Sequence, residues 1–148
     1  MRALSAYLRW LSEGVSKEET KAWRGQGVAK PIPLAQLDPA RGRRLYREKC
    51  VSCHGKDGQG VQIGALKPGP LWGARSWNDG AGAARVYTLA GYLRHSMPYL
   101  APGSLTDEEA QLIARYITSK PRPEFGAKER DYLVEKLPPD AVYYPPRN

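Results

Sequence analysis

At 148 residues the sequence has room for one domain of about 80–100 residues plus extensions. Lysine and arginine number 23 against 15 acidic residues, a net charge of +8, but the basic residues are scattered. The densest cluster, Arg41-Gly42-Arg43-Arg44 with Arg47, falls on a predicted helix, so the charge suits a solvated basic face or a docking patch for an acidic partner and weighs against nucleic acid. A single Phe beside nine Tyr and four Trp is little apolar bulk, which suits a small domain completed by an apolar cofactor.

In chain order, Leu4, Tyr7, Leu8 and Leu11 recur at helical spacing and Gly14 stands where a helix stops. This amphipathic helix, 1–14, has nothing nearby in sequence to cover it. Residues 15–38 are polar, punctuated by Gly and Pro, and read as a linker. Asp38-Pro39 then starts a helix, with Asp as N-cap and Pro at the first helical position. That helix is expected to run through Gly42 and Tyr46 into Cys50–Cys53.

A Gly/Pro-rich loop follows. Asp79 is read as the cap of a second helix with Ala83, Val86, Leu89, Ala90 and Leu93 on one face, broken at Pro98. Thr106-Asp107-Glu108-Glu109 forms a capping box and opens a last helix carrying Ala110, Leu112, Ile113, Tyr116 and Ile117. Residues 39–119 thus make an all-α unit, and 120–148 a Pro-rich, extended C-terminal tail.

Cys50-Val51-Ser52-Cys53-His54 carries the chemistry. Two thiols one helical turn apart can form thioethers to the two vinyl-derived carbons of a haem, and the adjacent His can bind its iron. A zinc site would need two further ligands, and His95 is the only other His. A redox Cys-x-x-Cys would not need the His. The expected cofactor is one covalently attached haem c, held by Cys50, Cys53 and His54. Both cysteines of the chain lie in the motif, so no thiol remains for other work.

Apart from the initiator, Met97 is the sole methionine, and a thioether sixth ligand would favour reduced iron. His95 is the rival. Two positions along a helix point about 200° apart, so only one of the two can face the iron. Met97 is preferred, and Lys or Tyr ligation stays open.

Residues 39–119 resemble the class I c-type cytochromes, with Gly42 and Tyr46 meeting Tyr116 where the first and last helices cross. The resemblance implies that fold, with Pro68-Gly69-Pro70-Leu71-Trp72-Gly73 passing under the proximal side and the Pro70 carbonyl orienting the imidazole of His54. Trp72, Arg75, Trp77, Tyr87 and Tyr99 are expected to line the haem or its propionates.

Several stretches further resemble the thiosulfate dehydrogenase family of periplasmic dihaem cytochromes. They are Ala6–Leu11, Pro70–Gly73, Trp77-Asn78-Asp79-Gly80-Ala81-Gly82, Ser96-Met97-Pro98, Pro121-Arg122-Pro123 and the tail from Asp131-Tyr132 to Tyr144-Pro145. The resemblance implies the end of a first cytochrome domain, a linker and a whole second domain. In that family the catalytic haem belongs to the first domain and has His and Cys ligands. With no spare Cys, this chain is expected to relay electrons, either from a preceding haem domain or as a free-standing periplasmic carrier. Thiosulfate is the substrate the resemblance implies for the whole assembly. A gas-sensing haem, with an easily displaced sixth ligand, is a third and weaker option. Haem is attached after export, yet the first residues carry no cleavable signal, so an export signal is expected upstream.

Overall fold

The computed structural model describes residues 2–14, 27–132 and 137–144. Within them the secondary structure is helical: α1 (Arg2–Leu11), α2 (Pro39–Lys49), α3 (Val51–His54), α4 (Val86–Ser96), α5 (Asp107–Ile117) and α6 (Lys128–Asp131), with 3-10 turns at Leu34–Gln36 and Gly82–Ala84. No described helix is long and apolar enough to cross a membrane.

The Asp38 carboxylate accepts from the N–H groups of Ala40 and Arg41 and so starts α2 as the sequence predicts. The helix does not continue into the motif. Cys50, at φ −124°, ends α2 and begins the separate turn α3, which frees the two thiols from the direction of α2.

At the other end of the unit, Thr106 and Glu109 form the reciprocal capping box that opens α5. The helices α2 and α5 cross at Gly42, where a Cβ would lie 2.0 Å from the carbonyl oxygen of Leu112. One turn on, Tyr46 and Tyr116 pack with ring centroids 5.4 Å apart. The side of α5 away from this crossing meets α4. Val86, Leu89, Ala90 and Leu93 join Leu112, Ile113 and Ile117 in the core, each large side chain contributing roughly 1.5–3 kcal/mol of burial.

Asp79 does not cap α4. Its carboxylate accepts from the N–H of Phe125 and pairs with Lys128, while α4 starts at Val86 without a side-chain cap. The tail takes that carboxylate because Gly80 lets Phe125 lie against its backbone, where a Cβ would come within 2.6 Å of the ring.

A second carboxylate fixes the tail further on. Asp140, fully buried, accepts from Arg85 at 3.1 and 3.2 Å and from the N–H of Tyr87 at 2.8 Å. Replacing it with alanine strands one backbone donor and one half-exposed guanidinium. An Asp140→Ala variant is therefore expected to lose about 2 kcal/mol, read as a lower urea midpoint with an unchanged haem spectrum.

Residues 27–38, read from the sequence as linker, pack against the domain. Leu37 is buried in the core, and the side chain of Gln111, fully buried on α5, accepts from the Ile32 N–H at 2.8 Å and donates to the Lys30 carbonyl. The hydroxyl of Tyr87 donates to the Ile32 carbonyl, also at 2.8 Å. The linker stretch 15–26 and the tail stretches 133–136 and 145–148 lie outside the described residues. Leu4, Tyr7, Leu8, Trp10 and Leu11 of α1 are all exposed.

Candidate functional site

The turn α3, at the end of α2, carries Cys53 and His54, with Cys50 at its start, and hydrogen bonds hold it and the loop that follows. The buried hydroxyl of Tyr46 donates to the carbonyl of Gly55 at 2.8 Å. Burial raises that phenol far above its ordinary range, so it remains a donor. The N–H of Gly60 donates to the His54 carbonyl at 2.9 Å and that of Val61 to the Cys53 carbonyl at 2.8 Å. Further along the loop, Leu71 N–H donates to the Gly58 carbonyl, and the Trp72 ring lies against Gly58. At φ +71° and with the ring so near, only glycine fits position 58.

Both thiols are half-buried and unbridged. Burial, reinforced by neighbouring Cys53, pushes the Cys50 thiol up to about 11 against a counter-pull from Lys49. Burial alone lowers His54, which favours the neutral imidazole that binds metals. Its Nδ1 is buried without a hydrogen-bond partner, so the bond expected from it to the Pro70 carbonyl is not made. Pro70 is half-buried on the loop leading to Trp72. Two unbridged sulfurs a turn apart, beside an imidazole that burial favours in its neutral form, fit the thioether and axial bonds of haem c.

Met97 and His95 separate clearly. Met97 closes α4, half-buried and packed against the core, whereas His95 is exposed.

The other predicted lining residues divide. Trp72 belongs to the helix crossing, 5.4 Å from Tyr46 and 5.9 Å from Tyr116. Tyr87 is engaged with Ile32 and Asp140, as described above. Arg75 is exposed and Tyr99 is 75% exposed, so neither is packed at the motif in this structure. Trp77 is half-buried, with its indole N–H buried and without an acceptor. Arg122 lies beside it, with its Cζ 4.8 Å from the Trp77 ring. Sequence reasoning noticed Arg122 only within Pro121-Arg122-Pro123, since nothing local signals a contact 45 positions away.

A groove between α2 and α5, about 270 Å³, is lined by Arg41, Arg44, Glu48 and Glu108. Arg41 and Glu108 pair across it, and none of the motif residues lines it.

A helical unit closed by two crossing helices, with a Cys-x-x-Cys-His turn between them, defines a c-type cytochrome domain. Residues 37–117 match the family model described as cytochrome c oxidase, cbb3-type, subunit III. The chain belongs to that family and is a haem c electron-transfer protein.

It is 42% identical over 122 residues to a thiosulfate dehydrogenase of Allochromatium vinosum, covering 81% of this chain and 44% of that protein. A thiosulfate dehydrogenase of Psychrobacter arcticus is 38% identical over 146 residues, covering 95% of this chain and 43% of that one. Among solved structures, the thiosulfate dehydrogenase (TsdBA) of Marichromatium purpuratum superposes with a TM-score of 0.68 at 37% identity, covering 91% of this chain and 28% of that chain. The chain thus spans less than half the length of these curated relatives.

Proposed function

We propose that this domain holds one haem c, through thioethers to Cys50 and Cys53 and with His54 and Met97 as axial ligands, and relays electrons in periplasmic thiosulfate oxidation. Bound there, the haem supplies a one-electron couple. The chain's own part is to hold the imidazole neutral, seat the thioether at the end of α4 and exclude water through the packed α2–α5 crossing. The tail is clamped at Asp79 and, through Asp140, at the start of α4.

One observation carries the relay reading. The likeness to thiosulfate dehydrogenases extends over most of the chain, yet both of its cysteines are committed to the motif. A substrate site with a thiolate ligand would have to come from elsewhere, as from a preceding haem domain or a separate redox partner. Periplasmic placement is supported by the attachment chemistry, since thioether bonds to haem form after export.

The test is the visible spectrum of the oxidised holo-protein before and after thiosulfate. Expected is no change with thiosulfate and full reduction with dithionite. Prompt reduced bands with thiosulfate alone would show that the domain takes electrons from the substrate itself, and would overturn the relay reading.

A further inference from the structure

The loop that follows Met97 carries little packing of its own. Residues 99–104 are exposed throughout, with Tyr99 and Leu100 at 75% and 89%. Turn bonds join the Ala101 N–H to the Pro98 carbonyl and the Ser104 N–H to the Ala101 carbonyl. Such a segment opens locally at little cost unless something ties it down. Arg94 supplies a tie. From the last turn of α4 its Nη1 donates to the Gly103 carbonyl at 2.8 Å, and its Nε donates to the Asp107 carboxylate at 3.1 Å. The fork of one guanidinium thus spans the loop from α4 to the start of α5.

The second oxygen of that carboxylate faces another segment. It accepts from the N–H of Ala29, at 3.2 Å, in the stretch 27–38 that leads into α2. That stretch is docked on the same two helices. Gln111 of α5 accepts from the Ile32 N–H and donates to the Lys30 carbonyl, and the Tyr87 hydroxyl of α4 donates to the Ile32 carbonyl. Gln111 also donates to the Asp107 carbonyl, one turn back on α5. Hydrogen bonds therefore run without a break from Ala29 through Asp107 and Arg94 to Gly103, in the loop that Met97 opens. Freed of Ala29, the carboxylate can rotate away from Arg94, and the tie to Gly103 weakens with it. The two charged side chains are 31% and 36% exposed, which screens their attraction and limits the effect to a modest one.

We propose that Arg94 and Asp107 form a latch through which residues 29–32 hold the Met97 loop shut, with Arg94 a positioning residue for the sixth haem ligand. The inference rests on the reading of Met97 as that ligand. Displacing residues 29–32 then loosens the bond to iron through two side chains, neither of which touches the haem.

The test uses the ferric holo-protein and added imidazole, which takes the sixth position only while the loop is open. Its apparent affinity therefore scales with the open fraction. Displacement of Met97 is followed by loss of the far-red thioether-to-iron band. Arg94→Gln is expected to lower the imidazole concentration at half-displacement about three- to tenfold. Arg94→Lys, with a point charge in place of the fork, should recover part of that change. Gln111→Met keeps the side chain's length and removes its bonds to Lys30 and Ile32. It should act in the same direction, and the double variant should go little beyond Arg94→Gln alone, because both open one latch. Asp140→Ala, destabilised at the far end of α4, should leave the imidazole midpoint where it is.

An equal shift in Asp140→Ala would mean that general loosening admits imidazole, and would overturn the proposal. So would an unmoved midpoint in Arg94→Gln, or a shift there with none in Gln111→Met, since the stretch 29–32 would then have no hold on the loop. A wild type without the far-red band would instead overturn the reading of Met97 as ligand, and the latch with it, before any variant is compared.

Discussion

Replacing Met97 with alanine is expected to lower the midpoint potential of the haem sharply, while His95→Ala leaves it unchanged. The expectation follows from position. Met97 ends α4 with its N–H bonded to the Leu93 carbonyl and its side chain against the core, whereas His95 is exposed. A thioether favours ferrous iron, and its loss leaves the sixth position to water or a harder ligand that favours ferric. Axial ligation controls roughly 0.8 V across haem proteins, so a fall on the order of 0.2 V is expected. Redox titration reads it, together with loss of the far-red thioether-to-iron charge-transfer band in the oxidised spectrum. The opposite pattern, in which His95→Ala moves the potential and Met97→Ala does not, would transfer the ligand role to His95.

The second large effect is structural. A Cβ on Gly42 would lie 2.0 Å from the Leu112 oxygen, 2.8 Å from its carbonyl carbon and 2.9 Å from the Tyr116 Cβ. Backbone atoms cannot rotate aside, so α2 and α5 must move apart. That strains the packing of Tyr46, Trp72 and Tyr116 together. Gly42→Ala is expected to cost about 3 kcal/mol or more, at the upper end for overpacked cores. Against a total stability on the order of 5–15 kcal/mol, that is a large fraction. The sign is informative, because alanine inside an unobstructed helix would gain about 1 kcal/mol over glycine. Gly69→Ala, where an added Cβ meets nothing within 4 Å, serves as the control and should be near neutral. Guanidinium unfolding followed by Trp fluorescence measures both.

What was legible in the sequence is what depends on neighbours in the chain. The Asp38-Pro39 start of α2 and the Thr106/Glu109 box are written in neighbouring residues, and each is found where it was read. The crossing of Gly42 and Tyr46 with Tyr116 was readable only through resemblance to cytochromes.

Where the sequence misled, a distant segment had taken the group. Asp79 has the right type and spacing for a helix cap, but Phe125 and Lys128 claim its carboxylate. The stretch 27–38 was read as linker, yet its backbone at Lys30 and Ile32 meets the side chain of Gln111, which is wholly buried on α5. Cys50 breaks a helix that composition alone would have continued. The aromatic slot around Arg122 joins residues 77, 122 and 143, and no local pattern connects them.

Gly42 and Leu112 touch although 70 positions separate them (112 minus 42). Closing a loop of that size is costly, but the cost grows only with the logarithm of its length. Ten further residues would add roughly 0.1 kcal/mol. Positions 64 and 65, exposed and in the turn between Ile63 and Leu66, are where such an insertion would disturb least. The domain is therefore tolerant of lengthening between its two crossing helices and intolerant of a single methyl group where they meet, so evolutionary change has far more room in the loop than at the contact.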